Sequence, residues 1–253
     1  MRYLLPLMML ASALPAIALA ASCSATASKP VALLELYTSE GCNSCPPADK
    51  WLATLARSSQ VPDQVVPLAL HVPYWDELGW RDRFASPQFE ERQRQAVRQG
   101  RSATVYTPQV LLNGRNLPDW GSEGLEHALA KLAQQPAKAT LTLAVHAETG
   151  ATEASISGHA PAGALVVLAR YESGLISDVK AGENSGVRLK HDNVVRDWVE
   201  LGHVAINGTL DFSHKLPDRA DIQSAHSGLA AFVQDARSGE ILQAVMLPQC
   251  LGM

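Results

Sequence analysis

Two cysteines separated by two residues, Cys42 and Cys45, have the clearest potential for chemistry in this sequence. They follow an apolar run at residues 31–37 and precede a Pro-Pro pair and a helix-like segment at residues 48–58. Backbone N–H groups at a helix start favour negative charge, so a cysteine there loses its proton more readily and becomes a better nucleophile. The second cysteine can then attack the mixed disulfide and release the partner. The pattern predicts a redox centre.

Two other functions are compatible with the same pair. A Cys-x-x-Cys disulfide in a secreted domain can be purely structural, which would leave a binding module without chemistry. Two thiolates and one imidazole instead suit Cu(I). His71 is the natural third ligand, because it ends the strand expected beside the strand that leads to the cysteines. Thiol–disulfide chemistry needs no cofactor, and copper is expected only for this metal-binding alternative.

Composition bounds the class of protein. The chain has 253 residues, 47% of them hydrophobic and 18% charged, which is ordinary for a globular protein with a core. The formal net charge is −4, and no run rich in Lys or Arg occurs. Composition therefore gives no support for nucleic-acid binding.

The N-terminus has the pattern of an export signal. Arg2 supplies a positive charge, residues 4–19 are apolar, and residues 18–20 read Ala-Leu-Ala, an A-x-A cleavage site. We expect residues 1–20 to be removed and the mature chain to begin at Ala21, in the periplasm or outside the cell. A lipid anchor on Cys23 is the alternative. No second apolar run is long enough to span a bilayer.

Four cysteines remain in the mature chain, and an even number in an oxidising compartment favours pairing. Cys42 and Cys45 are the obvious pair. Cys23 and Cys250 would then form a structural disulfide that ties the two ends together. Two free thiols, or a lipidated Cys23 with a lone Cys250, stay open as alternatives.

The two halves of the sequence have different patterns. Residues 31–37, 48–58 and 65–72 predict a strand, a helix and a parallel strand, joined by a right-handed crossover. Ser86 and Pro87 predict a helix start, and Asn113-Gly114 predicts a hairpin turn. From residue 139 onward, short alternating runs with turn residues between them indicate an antiparallel sandwich. Residues 182–193, a polar stretch rich in turn residues, are expected to form a solvated loop. This stretch contains His191, and a metal or substrate contact from the second half stays open as the alternative.

The first half resembles the thioredoxin superfamily in its strand, Cys-Asn-Ser-Cys and helix, and in Thr107-Pro108 just before a strand. This resemblance implies an α/β thioredoxin-like domain at residues 21–136, followed by the all-β sandwich at residues 137–253. It also implies a cis peptide bond at Pro108, beside the cysteines, where the partner's backbone would bind. Glu35 would be the buried acid that accepts a proton from the second cysteine.

The whole mature chain more closely resembles a family of secreted bacterial proteins whose biochemical function is unassigned. Four motifs carry the resemblance: LYTSEGCNSCPPAD, LALHVPYWDELGWRDRF, YTPQ and ENSGVRLKHDNVVR, at residues 36–49, 68–84, 106–109 and 183–196. These motifs are specific for the family and say nothing about the substrate.

Together these features predict thiol–disulfide exchange on exported proteins that carry thiols or disulfides, with a possible redox partner. Cys42 would be the nucleophile, Cys45 the resolving thiol and Glu35 the proton acceptor. The expected groove for the partner polypeptide is formed by Tyr74, Trp75, Trp80, Thr107 and Pro108.

Overall fold

The computed structural model describes residues 22–148 and 151–248. The predicted signal peptide, residues 1–20, lies outside these ranges. So does Cys250, which leaves the predicted Cys23–Cys250 disulfide a prediction. Of the helices within these ranges, none is long and apolar enough to cross a membrane.

The described residues are rich in strands and contain three α-helices. The helices are α1 (Pro46–Leu55), α2 (Pro87–Arg98) and α3 (Gly124–Leu132). The strands are β1 (Ser22–Ala27), β2 (Ala32–Thr38), β3 (Val65–His71), β4 (Gln109–Leu112), β5 (Arg115–Asn116), β6 (Thr140–Glu148), β7 (Ala151–His159), β8 (Leu165–Glu172), β9 (Leu175–Asp178), β10 (Arg188–His191), β11 (Val194–His203), β12 (Thr209–Leu216), β13 (Ser227–Gln234) and β14 (Ile241–Leu247). Short 3₁₀ helices span Pro73–Leu78 and Ser224–His226.

Three sheets organise these strands. The main sheet has eight strands in the order β14-β13-β8-β11-β3-β2-β4-β5. A second sheet has four strands in the order β1-β6-β7-β12, and β9 pairs with β10 in a separate two-stranded sheet. β3 is parallel to both of its neighbours, β2 and β11, and the other pairings between the described strands are antiparallel.

The predicted fold class, an α/β thioredoxin-like domain followed by an all-β sandwich, is wrong. Strands from both halves of the sequence form one continuous sheet, because β3 pairs with β11 at Ala69 and Val194. The first strand, β1, pairs with β6 of the second half along six residues. Local patterns identified many of the elements, but the edge of β3 is covered by a strand about 125 residues further along the chain.

Several local predictions are confirmed. β2, α1 and β3 form the predicted strand–helix–strand unit, and β2 and β3 are parallel. The Ser86 side chain accepts a hydrogen bond from the backbone N–H of Gln88 at the start of α2. Asn113 and Gly114 both have positive φ, as a type I′ hairpin turn between β4 and β5 requires.

The two faces of the main sheet bury different sets of side chains. Leu34 and Leu36 of β2 pack with Leu52 of α1 and with α3. On the other face, Leu33 and Tyr37 pack with α2 and with the four-stranded sheet. Because side chains alternate along a strand, neighbouring residues of β2 face different layers. This alternation decides which residues can reach the cysteines.

Candidate functional site

Cys42 and Cys45 form a disulfide at the start of α1. Their Cα atoms are 5.4 Å apart, and Cys45 is the residue that caps the helix. Pro46 and Pro47 occupy the first turn of α1 and have no N–H group. The helix start therefore has fewer hydrogen-bond donors for a cysteine thiolate than the sequence pattern implies. The hydroxyl of Ser44 partly compensates, because its Oγ lies 3.3 Å from Cys42 Sγ.

Trp75 links the cysteine loop to the segment around Pro108. The Thr107–Pro108 peptide bond is cis, as predicted. The Trp75 indole N–H donates to Thr107 Oγ1 at 2.7 Å. On its other side Trp75 packs against Gly41, where an added Cβ would lie 2.9 Å from the Trp75 Cβ. Glycine is therefore required immediately before Cys42, and the structure brings Thr107, Pro108 and the cysteine loop together.

Five ionisable side chains are buried together on the α1 face of the sheet, close to the cysteine loop. We call them the disulfide-side cluster: Glu40, Asp49, His71, Asp82 and His191. They come from the loop before Cys42, from α1, from the ends of β3 and β10, and from the loop before α2. The sequence identifies His71 as a candidate metal ligand and His191 as a candidate metal or substrate contact, whereas it does not identify Glu40, Asp49 and Asp82.

His71 and Asp82 form a buried ion pair within this cluster. His71 Nδ1 lies 2.6 Å from Asp82 Oδ2, and neither side chain is exposed. Burial alone would lower the pKa of His71, but the charge and hydrogen bond of Asp82 raise it overall. Burial alone would raise the pKa of Asp82, and His71 lowers it overall. The pair is therefore charged, which holds the His71 ring in a fixed orientation.

His191 lies between two carboxyl groups. Its Nε2 is 3.3 Å from Glu40 Oε1, and its Nδ1 is 3.8 Å from Asp49 Oδ2. Burial opposes ionisation of Glu40, but neighbouring donors, His191 foremost, bring its pKa below the ordinary value. For Asp49 burial prevails and raises the pKa. Asp49 lies one helical turn after Cys45, and its backbone N–H donates to the Cys45 carbonyl at 3.1 Å.

Among the described residues, six buried side-chain atoms in or beside the disulfide-side cluster make no hydrogen bond of good geometry: Thr38 Oγ1, Glu40 Oε1, His71 Nε2, Ser177 Oγ, His191 Nδ1 and His191 Nε2. Two of them, Glu40 Oε1 and His191 Nε2, face each other. The Thr38 hydroxyl faces Asp49 and the Ser177 hydroxyl faces Glu40. In residues 22–148 and 151–248, no three His, Cys, Asp or Glu side chains are arranged to hold a metal ion. Buried polar groups without a well-aligned partner are compatible with a redox or catalytic role.

The structure does not bring Glu35 together with the cysteines. Glu35 points to the α2 face of the sheet, where Arg92 Nε donates to its Oε1 at 2.5 Å and the Tyr37 hydroxyl donates at 3.2 Å. Arg92 also donates to Gln234 and lies over the rings of two aromatic residues. We call Glu35, Tyr37, Arg92 and Gln234 the Arg92 cluster. The placement of Glu35 corrects its predicted role as proton acceptor for Cys45.

The other two aromatic residues of the predicted groove are half-buried. The Trp80 indole N–H donates to Glu40 Oε2 at 2.7 Å, which connects it to the disulfide-side cluster. The Tyr74 hydroxyl donates to Gln93 of α2 at 3.3 Å. Trp75 and Trp80 therefore flank the cysteine loop, and Tyr74 reaches toward α2.

The segment that connects β9 and β10 supplies site residues that the sequence did not indicate. The Asn184 amide donates to the carbonyls of Glu40 and Cys42, both at 2.9 Å. The backbone N–H of Asn43 donates to Glu183 Oε2 at 3.1 Å. The predicted solvated loop at residues 182–193 is thus partly wrong, because Asn184 and His191 are buried against the site. A buried asparagine in a polar, turn-rich segment leaves no pattern in the sequence.

The fold and the site define a β-rich protein with a buried Cys-x-x-Cys disulfide at the start of a helix. The family described as "Protein of unknown function (DUF1223)" matches residues 33–234, and the chain belongs to this family. No curated protein matches the chain. A protein from Agrobacterium tumefaciens with a known crystal structure is 30% identical, with 87% of this chain and 96% of that chain covered and a TM-score of 0.64. HBP35 of Porphyromonas gingivalis is 14% identical, with 87% of this chain and 75% of that chain covered and a TM-score of 0.65, a likeness of fold alone.

Proposed function

We propose that this protein is an exported thiol–disulfide exchange protein that acts on the thiols and disulfides of other exported proteins. The observation that carries the proposal is the Cys42–Cys45 disulfide at the start of α1, with buried ionisable groups behind it. A purely structural disulfide gains nothing from buried ionisable groups nearby, since burial of such groups costs free energy unless they are fully paired.

The exchange would proceed in two displacement steps. The Cys42 thiolate attacks a disulfide sulfur of the partner, forms a mixed disulfide and releases one partner thiolate. The Cys45 thiolate then attacks Cys42 Sγ, which re-forms the Cys42–Cys45 bond and releases the second partner thiolate. The reverse sequence oxidises a partner dithiol. The potentials of the protein and its partner set the direction.

Two groups support these steps. The Ser44 hydroxyl, 3.3 Å from Cys42 Sγ, can donate to the Cys42 thiolate. Asp49 follows Cys45 by one turn, and the elevated pKa of this buried acid suits proton exchange with the Cys45 sulfur. His191 lies beside Asp49, and Glu40 lies beside His191, so a proton on Asp49 could pass further to these two side chains.

The test is trapping by cysteine variants of the mature protein. Cys42→Ser should abolish exchange with a disulfide-bonded protein substrate, and reduced Cys45→Ser should accumulate mixed disulfides with that substrate, which are visible by mass spectrometry. Equal turnover by the parent and both variants would contradict the proposal. The reduction potential of the pair, measured in glutathione buffers, should lie above about −300 mV if the bond is exchangeable. A lower value without exchange would favour a binding module with a structural disulfide.

Copper transfer is the second candidate, with Cys42, Cys45 and His71 as a ligand set that would form only after the disulfide is reduced. One observation favours it. His71 Nδ1 is held by Asp82, and its Nε2 is buried without a partner. A carboxylate in this position commonly orients a metal-binding imidazole. Stoichiometric Cu(I) binding by the reduced protein that is lost in His71→Ala would support this candidate. Binding unchanged in that variant would exclude His71 as a ligand.

A further inference from the structure

The Cys42–Cys45 disulfide is closed off from solvent. Both cysteines have 0% exposed surface, although Asn43 and Ser44 between them are exposed. Exchange requires a partner sulfur to approach one sulfur along the axis of the S–S bond. The exchange proposed above therefore needs a local opening at the cysteine loop.

The segment between β9 and β10, residues 179–187, which we call the hairpin tip, is hydrogen-bonded to the backbone of the cysteine loop. Asn184 of the tip is buried, and its side-chain amide donates to the carbonyls of Glu40 and Cys42 at 2.9 Å. Glu183 accepts from the Asn43 backbone N–H at 3.1 Å. Two side chains of the tip thus occupy the backbone acceptor and donor next to the reacting sulfur, the Cys42 carbonyl and the Asn43 amide.

The hairpin tip is attached to the body of the protein in a way that permits local movement. β9 and β10 pair with each other and with no other strand in the described residues, so the tip can lift without breaking the main sheet. Buried Val179 marks the base of the part that would move. The base of the hairpin is anchored, because His191 at the end of β10 is buried between Glu40 and Asp49. Segments held by a few local hydrogen bonds are those that open most readily in native proteins.

We propose that the hairpin tip is a gate over the disulfide, that Asn184 holds it closed, and that the partner is an extended polypeptide. A backbone N–H of such a segment would replace the Asn184 amide at the Cys42 carbonyl. The Asn43 N–H belongs to the same trans peptide unit and points the opposite way, so it turns to solvent when Glu183 moves away. The inference rests on the proposed function of the disulfide.

The test measures how fast dithiothreitol reduces the Cys42–Cys45 disulfide in the mature protein. Asn184→Ala removes both hydrogen bonds from the Asn184 amide to the Glu40 and Cys42 carbonyls without adding charge. We expect reduction of the disulfide to accelerate about tenfold or more. Ser185→Ala is the matched control, because it removes a hydroxyl whose hydrogen bond, to the Lys180 carbonyl at 3.2 Å, stays within the tip. This variant should react at the parental rate.

Two results would overturn the gate. The first is an equal rate for Asn184→Ala and the parent, or an equal acceleration in Ser185→Ala. The second is a shift in the reduction potential of the Cys42–Cys45 pair that accounts for the whole increase in rate. Asn184 would then act on the stability of the disulfide and not on access to it. Thermal unfolding of each variant confirms that it is folded. If Asn184→Ala is reduced faster but neither it nor the parent exchanges with a protein, the gate stands and the proposed function fails.

Discussion

The main sheet carries a buried polar cluster on each face, and the two clusters differ in how their charges are satisfied. In the Arg92 cluster, Arg92 donates to Glu35 and Gln234 and stacks on two aromatic rings. None of the unpartnered buried atoms found in the described residues lies there. In the disulfide-side cluster, His191 faces Glu40 and Asp49 without a well-aligned hydrogen bond, and burial raises the pKa of Asp49. Complete pairing on one face is typical of structural support, and incomplete pairing on the other leaves groups available for proton exchange.

Arg92→Met should have the largest effect, and the effect should be on stability. Removal of one partner from a buried ion pair leaves the other charge uncompensated, which costs about 3–5 kcal/mol. Glu35 is almost completely buried, so the free energy of unfolding in urea should fall by that amount. The reduction potential of Cys42–Cys45 should stay unchanged, because Arg92 lies on the opposite face.

The matched control for Arg92→Met lies on the same helix. Arg94 pairs with Glu90 one turn away, and its side chain is half exposed. Exposed pairs of this kind contribute only about 0.3–0.5 kcal/mol. Arg94→Met should therefore leave stability nearly unchanged. A loss of equal size in both variants would show that the Arg92 cluster is no more important than a surface pair, and the contrast between the two faces would disappear.

Asp49→Asn and Glu35→Gln should change stability in opposite directions at neutral pH. Burial raises the pKa of Asp49, so the folded state binds its proton more tightly than the unfolded state does. Stability of the parent then falls as pH rises through the unfolded pKa of about 4 toward the higher folded pKa. Asparagine does not titrate, so Asp49→Asn should gain stability relative to the parent, and the gain should grow as the pH rises from 4 to 7.

Glu35→Gln should instead lose stability, because Arg92 would be left without its carboxylate partner. Urea unfolding of the two variants and the parent at pH 4, 5.5 and 7 distinguishes the cases. A difference between Asp49→Asn and the parent that does not change with pH would show that Asp49 does not titrate differently in the folded state. A gain in both variants would mean that the Arg92 cluster is as poorly paired as the disulfide-side cluster.

The sequence predicts those parts of the site that depend on neighbouring residues. The cysteine pair, the strand before it and the helix after it are local, and the Asn113-Gly114 turn is fixed by backbone preference. The role of Glu35 could not be settled in this way. Alternation along β2 shows that Glu35 shares a face with Leu33 and Tyr37, but only the tertiary structure shows that α1 covers the other face.

The residues that the sequence missed or left open share one cause. Asn184 contacts the Glu40 carbonyl across 144 residues of sequence, and His191 reaches the site because β11, which follows it, pairs with β3. Contacts between distant segments depend on sheet order, which a single sequence does not encode in its spacing. The same non-local pairing of β3 with β11 is the reason why the predicted fold class, an α/β domain followed by an all-β sandwich, is wrong.

Ser44→Ala should have the smallest effect, and only on the reactivity of Cys42. Loss of the hydroxyl 3.3 Å from Cys42 Sγ removes a donor to the thiolate, so the pKa of Cys42 should rise and its thiolate fraction at neutral pH should fall. In the Cys45→Ser background, where Cys42 is the reacting thiol, alkylation by iodoacetamide at pH 7 should slow about two- to fivefold. The rate should recover above the thiol pKa, because the Cys42 thiol is then fully ionised with and without the Ser44 hydroxyl.

Ser122→Ala is the control, since that exposed hydroxyl donates to the Asp119 carbonyl in the segment before α3. Slowing that persists at high pH would mean that Ser44 affects access to Cys42 and not its ionisation.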